Sequence, residues 1–246
     1  VFTVIGDGVS SLLTLPVPGV TLDDVRETTH VMQVQRGAPT NELNPVRNHL
    51  DQLKGGRIAH HIQPARAIHI LTGGALNYAA VMDHNVWLHT MPEASTFATA
   101  VAMLKKWEAW EAVSERVRRH LQEADPAQET VKRQDYERFN FRVFEAMPRH
   151  LSMLPTARRK AAELGFAAHI LYRYSHFEAG PAAKMAGSIA LNVEEWGEPF
   201  EPPCVLLGGH ELLVTVGQEK GMGGRNQEWA LTAARRIAGS RYVVMA

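Results

Sequence analysis

The segment Gly221-Met222-Gly223-Gly224-Arg225-Asn226-Gln227-Glu228 opens a helical pattern. Three glycines let the main chain approach a ligand closely. A helix N-terminus adds unpaired N–H groups and a partial positive charge, so negative oxygens bind well there. Arg225 contributes a planar fork that matches a carboxylate or a phosphate. A plain turn carrying an arginine salt bridge uses the same residues, and the pattern leaves both readings open. A second segment, Lys54-Gly55-Gly56-Arg57, closes a helical stretch. Glycines there permit a left-handed cap, and cations suit a helix C-terminus. Capping alone explains them, yet Asn44, Arg47 and His49 add more polar side chains to this stretch than packing needs. Arg47 and Lys54, seven apart, share one helical face. A third segment, Gly6-Asp7-Gly8-Val9-Ser10-Ser11, follows an apolar strand pattern. It resembles the start of a dinucleotide fingerprint but lacks the third glycine and the acid about 20 residues on. It reads instead as a loop whose N–H groups and serine hydroxyls hold a small polar substrate.

Other reactive residue types carry less. His60, His61, His69, His84 and His89 stand in no zinc-binding spacing and read as surface or core histidines. Ser10 has no nucleophile elbow around it, so a hydrolase triad is not supported. Trp107 and Trp110 fall at helical spacing and read as packing.

The elements that must position these groups alternate in type. Strands are expected at 1–5 (a buried one), 65–71, 166–172, 205–207, 212–216 and 242–246. Thr21 caps a helix with Asp23 and Asp24 in its first turn, reaching about Gly37. Asn44 caps the next, with Pro45 at its first position and Val46, Leu50 and Leu53 facing inward. Ser95 caps a helix through Trp107, and further helices are expected at 155–164, 182–196 and 226–238. Gly197-Glu198-Pro199-Phe200-Glu201-Pro202-Pro203 is the best linker in the chain. The alternation predicts an α/β fold with a mostly parallel sheet, whose ligands lie beyond the carboxyl ends of the strands.

Composition bounds the function. The 246 residues, 45% of them hydrophobic, allow one large core or two smaller ones. The 26 Lys+Arg balance 26 Asp+Glu, so neither a nucleic-acid footprint nor an acidic tail is expected. No uncharged apolar run approaches ~18 residues, so no membrane partner is expected either. Cys204 alone excludes an internal disulfide and a cysteine zinc cluster, and suits the cytoplasm. The chain starts and stops inside strand patterns, which predicts a piece of a longer protein.

Taken in order, Thr21-Leu22-Asp23-Asp24, the block at 42–59 (ELNPVRNHLDQLKGGRIA), Thr90-Met91-Pro92-Glu93-Ala94-Ser95-Thr96-Phe97 and the block at 221–228 resemble the glycerate 2-kinase family. That family has sometimes been labelled hydroxypyruvate reductase. The resemblance spans almost the whole chain. It implies a Rossmann-like large domain at 1–198, its N-terminal part missing, with flanking helices on a mostly parallel sheet. The start of a smaller C-terminal α/β domain would follow at 199–246, with the active site in the cleft between the two. It implies an ATP-dependent phosphotransferase, a kinase using Mg²⁺ and acting on glycerate or a similar small hydroxy acid. Mapped onto this chain, Lys54, Arg57 and Arg225 would be catalytic cations. Gly8, Ser10, Ser11, Asn44 and Arg47 would bind substrate. Gly221, Gly223, Gly224 and Asn226 would bind nucleotide, and Glu211 a metal. The partners expected are the hydroxy acid and the nucleotide, with a homodimer allowed.

The chain departs from the family in several loops. Gly6-Asp7-Gly8-Val9-Ser10 replaces Ser-Gly-Gly-Gly-Ser, and Thr72-Gly73-Gly74-Ala75-Leu76-Asn77 replaces an Asp-rich loop. Trp87-Leu88-His89-Thr90 replaces Ser-Gly-Pro-Thr, and Pro148-Arg149-His150 stands near a Gly-Ser-Asn turn. Gly209-His210-Glu211-Leu212-Leu213 replaces Gly-Gly-Glu-Thr-Thr. No general base stands out, Asp7, His89 and Asp83 being poor candidates. Two alternatives remain. One is a diverged member that binds an acid or nucleotide with little catalysis. The other is a hydroxypyruvate reductase, against which the incomplete fingerprint counts.

Overall fold

The computed structural model describes residues 1–6, 8–72, 77–146, 152–173, 177–209, 211–217, 221–243 and 245. They form two compact units, Val1–Arg149 and His150–Ala246. The first unit begins with β1 (Phe2–Ile5), α1 (Val9–Leu12) and α2 (Leu22–Thr29), the last prolonged by a π-helical turn at His30–Gln35. It continues through α3 (Thr40–His49), α4 (Arg57–Ile62), β2 (Ala67–Leu71), α5 (Tyr78–His84), α6 (Phe97–Lys106), α7 (Glu115–Glu123), α8 (Arg133–Tyr136) and β3 (Phe141–Glu145). The second unit contains α9 (Met153–Glu163), β4 (Ala167–Tyr172), α10 (Ala179–Trp196), β5 (Cys204–Gly208) and α11 (Arg225–Arg236).

Both sheets are parallel, as the strand–helix alternation requires. In the first unit the order is β1-β2-β3, and in the second β4 pairs with β5. Ile5 stands opposite Leu71, and Leu71 opposite Glu145, so the three strands finish level. The carboxyl ends of the three strands therefore lie along one edge of the sheet, the place where parallel sheets gather ligand-binding groups. β1 was expected to be buried. It is an edge strand, and its Phe2 and Val4 are exposed while Ile5 is covered.

Two apolar cores hold the first unit. One lies among α2, α3, α6 and α7 and includes Val25, Met32, Leu43, Val46, Leu50, Phe97, Leu104, Val117 and Leu121. The other lies under the sheet, where Ile5, Ala59, Leu71, Met82, Met91 and Tyr136 meet. Thr21 and Asp24 cap α2 reciprocally, as the sequence predicts. Asp24 is buried and also takes Arg116 in a two-pronged ion pair, with Nε at 2.8 Å and Nη2 at 2.9 Å.

Several elements depart from expectation for physical reasons. The α3 helix starts at Thr40, because the Pro39 carbonyl accepts the N–H groups of Glu42 and Leu43. Pro45 thus sits inside the helix, where proline typically costs about 3 kcal/mol. Complete burial of Leu43, Val46 and Leu50 offsets that cost. Asn44 is consequently not a cap but a buried side chain on a helix face. Thr96, not Ser95, caps α6 through a reciprocal bond with Thr99, since the Ser95 hydroxyl is turned onto Glu93. The segment 212–216 forms no strand; Leu213 makes a single bridge to Glu178. Tyr242, Val243 and Met245 form none either, and Val244 and Ala246 lie outside the described residues. The units divide at 149/150 rather than 198/199, because β5, after the 197–203 segment, pairs with β4 before it. That segment is a connection within the second unit, entered through Gly197 at φ +67°.

Asp24→Asn keeps the shape but removes the charge that Arg116 and Thr21 bind. It is expected to lower stability by ~1–3 kcal/mol at pH 7, read by chemical denaturation. The Arg116 guanidinium holds the Asp24 carboxyl well below its ordinary 3.8. The stabilisation is therefore fully present above that value and disappears as pH falls toward the depressed one. The parent–variant difference should shrink on acidification, and a constant difference would contradict the assignment.

Candidate functional site

The polar centre of the first unit is assembled around the end of α3. Asn44, Arg47 and Asn48 lie on one buried stripe of that helix, at the spacing that aligns side chains. The Arg47 guanidinium donates to Asn44 Oδ1 at 3.3 Å and to the Ser10 carbonyl in the short helix α1. Just beyond the helix, Asp51 is fully buried. Its carboxylate accepts the N–H groups of Leu15 at 3.0 Å, Leu53 at 2.7 Å and Lys54 at 3.2 Å. The Lys54 ammonium stands 3.7 Å from the same carboxylate and donates to the Leu13 carbonyl. Burial pulls its pKa down to about 8; Asp51 opposes that shift and Arg47 adds to it. Burial also lowers Arg47, again against Asp51.

Gly55 and Gly56 turn the chain at φ +61° and +81°. A side chain at Gly55 would collide with Thr130 Cγ2, so glycine serves both conformation and close approach. The turn delivers Arg57 into the interior. Its guanidinium donates to the carbonyls of Asn48 at 2.7 Å, Asp51 at 2.8 Å and Lys54 at 3.2 Å, and to that of Gln128. Arg57 therefore ties the α3–α4 turn to the 126–132 segment. That segment is fixed from the other side by Glu129, whose carboxylate meets His49 Nε2 at 2.7 Å. Burial opposes its ionisation, but His49 and Lys132 hold it below the usual carboxylate range.

A second loop comes against α3. The Asn48 amide donates to the Val86 carbonyl at 3.1 Å. Asn85 shapes the loop by donating to the carbonyls of Leu88 and Pro92 and by accepting the N–H groups of Trp87 and Leu88. Tyr136 donates to the Thr90 carbonyl at 2.8 Å. The result buries His89 and Thr90 completely. Burial holds the His89 imidazole neutral, with its pKa down to about 3, and the charges of Lys54 and Arg47 push the same way. Both His89 ring nitrogens, the Thr90 hydroxyl, Asn44 Nδ2 and Arg47 Nε have no hydrogen-bonding partner among the described residues. Buried polar atoms are normally paired, so these unpaired groups of the first unit are candidates for contact with a ligand.

The structure thus brings Lys54, Arg57, Arg47, Asn44 and the Ser10 main chain together in one unit. Gly8 begins α1 at φ +81°, and the Ser11 hydroxyl is turned back onto its carbonyl at 2.8 Å. Asp7 and residues 73–76 and 147–151 lie outside the described residues. Asp83 pairs with Arg133 at the surface. In the second unit, Gly224 precedes the first residue of α11 and Gly223 adopts φ +151°. Gly221, Gly223, Gly224 and Asn226 are exposed. Arg225 pairs with Glu211 at 2.6 Å, so the proposed metal ligand is engaged by a cation. Among the described residues no group of three or more His, Cys, Asp or Glu side chains could hold a metal ion. Sequence reading passed over Asp51, Thr90 and the burial of His89. Asp51 had a signal in its place three residues before Lys54. His89 had none, because its burial depends on the loop that Asn85 builds.

A sequence-family model described as a domain of unknown function (DUF4147) matches residues 1–122. Glycerate 2-kinase from Pyrococcus horikoshii is 34% identical over 252 residues, covering 100% of this chain and 54% of that protein. D-glycerate 2-kinase from Thermotoga maritima is 31% identical over 259 residues, covering 100% of this chain and 55% of that protein. The chain belongs to the glycerate 2-kinase family. The crystal structure of glycerate kinase from Thermotoga maritima aligns at a TM-score of 0.63 and 30% identity, over 97% of this chain and 54% of that one. The chain spans about half the length of these curated family relatives. Among the described residues no helix is long and apolar enough to cross a membrane.

Lys54 offers a direct check of the buried charge. Its folded-state value near 8 lies below its ordinary 10.5, so between these values the unfolded chain binds more protons. Stability should rise with pH across that window, by about 3 kcal/mol in all. Lys54→Met should flatten the rise in urea titrations at pH 7.5, 9 and 10.5. An unchanged slope would show that another group carries it.

Proposed function

We propose that the protein is an ATP-dependent phosphotransferase acting on glycerate or a similar small hydroxy acid in the cytoplasm. One observation carries the reading: the buried cations and unpaired donors at the end of α3, inside the block that resembles the family most specifically. Phosphoryl transfer depends mainly on positioning and charge neutralisation. In this reading Arg47 and Asn44 take the substrate carboxylate on their unpaired Nε and Nδ2 atoms. Lys54 supplies the neighbouring positive charge. Arg57, whose guanidinium is occupied by four carbonyls, positions Lys54 and the Gly55–Gly56 turn rather than touching substrate. Gly8, Ser10 and Ser11, at the start of α1, would contact the substrate. Gly221, Gly223, Gly224 and Asn226, with Arg225, offer an open main chain and a guanidinium to nucleotide phosphates.

Magnesium would ordinarily be held by one or two carboxylates together with substrate phosphates. The described residues do not fit such a site, since Glu211 is paired with Arg225 and no acidic cluster accompanies it. The same observation favours a second reading, in which the protein binds acid and nucleotide with little turnover.

ADP release by the purified full-length protein, with Mg-ATP and a panel of small hydroxy acids, separates the two. Turnover on D-glycerate or a near analogue is expected. Arg47→Met should raise KM for the acid about tenfold or more, and Arg225→Met should raise KM for ATP instead. Absence of ADP release across the panel would remove the kinase reading, and thermal stabilisation by the same acids would then support the binding one.

A further inference from the structure

The buried charges of the first unit include the cations Arg47, Lys54 and Arg57 and the acids Asp51 and Glu93. Glu93 accepts the Ser95 hydroxyl, and among the described residues no carboxylate bonds Arg57. Carbonyls therefore place Arg57. Those of Asn48, Asp51 and Lys54 belong to the end of α3 and its turn, so that stretch follows wherever Arg57 goes. The fourth, from Gln128, holds the guanidinium from outside the turn. The chain around Gln128 is fastened in its own right. The Val131 N–H donates to the Gly55 carbonyl at 2.9 Å, and the Glu93 N–H donates to the Val131 carbonyl at 2.9 Å. The Ser95 carbonyl takes the Thr130 hydroxyl at 3.2 Å and also Lys132. Beside Gln128 itself the fastening is Glu129. Its Oε1 accepts the Thr130 N–H at 2.7 Å and the Lys132 ammonium at 3.1 Å, and it faces His49 Nε2 at 2.7 Å.

His49 is the last residue of α3, two beyond Arg47, and is fully buried. Its Nδ1 faces the Pro45 carbonyl at 2.6 Å, so oxygen acceptors hold the ring at both nitrogens. The same ring packs on Phe97 with centroids 4.7 Å apart. It thus does two separable things: it fills space and it holds a carboxylate. We propose that Glu129, anchored by His49, is a positioning residue that sets Arg57, and through it Arg47 and Lys54, in the geometry that receives an acid. The inference rests on the substrate site proposed above and adds what keeps its cations in place. A charge pair of this kind gains little net stability over apolar packing of similar volume, so its contribution lies in fixing geometry. A small shift of a binding group weakens its contact steeply, which is why a residue that never touches the ligand governs its affinity.

Calorimetric titration of the full-length protein with D-glycerate tests this. His49→Phe keeps a ring against Phe97 but offers Glu129 no hydrogen, and it should weaken binding about tenfold or more. His49→Gln loses the ring but presents an amide donor to Glu129, and it should recover most of that loss. Packing as the sole role of His49 predicts the reverse order. Glu129→Ala should weaken binding as much as His49→Phe does, and it keeps the test decisive if the phenylalanine variant does not fold. Combining the two should cost little beyond either alone, because both act through one contact. Wild-type affinity in His49→Phe and Glu129→Ala, with Arg47→Met losing the acid, would overturn this inference and leave the substrate site standing. So would loss of binding in His49→Gln alone. Failure of the wild type to bind D-glycerate, or indifference to Arg47→Met, would overturn the site and this inference together.

Discussion

Three cations, Arg47, Lys54 and Arg57, are buried together with the acids Asp51 and Glu93. Each ion removed from water costs several kcal/mol unless oxygen atoms replace the lost hydration. The acids make few direct contacts with them, so the main chain supplies most of the oxygens. Carbonyls of Ser10, Leu13, Asn48, Asp51, Lys54 and Gln128 all point at these three side chains. Much of the local architecture serves that delivery. The chain at 15–17 is zipped to 50–52, with Val17 bonded to the Leu50 carbonyl and Gln52 to that of Leu15. Gly55 and Gly56 permit a turn that no side chain could make against Thr130 and Val131. His49 and Lys132 clamp Glu129 so that Gln128 stays within reach of Arg57.

The same constraint leaves the centre receptive to an anion. Carbonyl dipoles compensate a cation less completely than a negative oxygen does, and some donors remain unpaired beside them. The glycine-rich segment of the second unit works on a different principle. Its glycines are exposed, with open space around Gly221 and the Gln227 side chain beside Gly223 and Gly224, and its arginine is already paired with Glu211. One region is a tight, preorganised charge centre and the other an open main-chain surface.

Legibility in the sequence followed the range of the interaction involved. The Thr21–Asp24 cap, the strands after residues 1 and 65, and the helix behind Gly224 were readable because each depends on residues a few positions apart. The concentration of Asn44, Arg47 and Lys54 was readable as excess polarity on an otherwise apolar stretch. Pro45 misled because the helix start is set by Pro39 and by the core under Leu43 and Val46. Ser95 misled because Glu93, two residues away, competes for its hydroxyl. The 197–203 segment has every local mark of a domain linker, but the pairing of β4 with β5 across it overrides composition.

By itself the sequence determined the α/β class, the parallel strands, most helix positions and the family, since periodicity, caps and motif blocks are properties of neighbouring residues. Only the tertiary structure decided which cations are buried, that Arg57 is consumed by carbonyls, that Glu211 belongs to Arg225, and that His89 and Thr90 are enclosed. The physical reason is that desolvation and hydrogen-bond satisfaction are set by whatever chain arrives from far along the sequence. A side chain's type states what it can bond, and only the packed fold states what is left for it to bond.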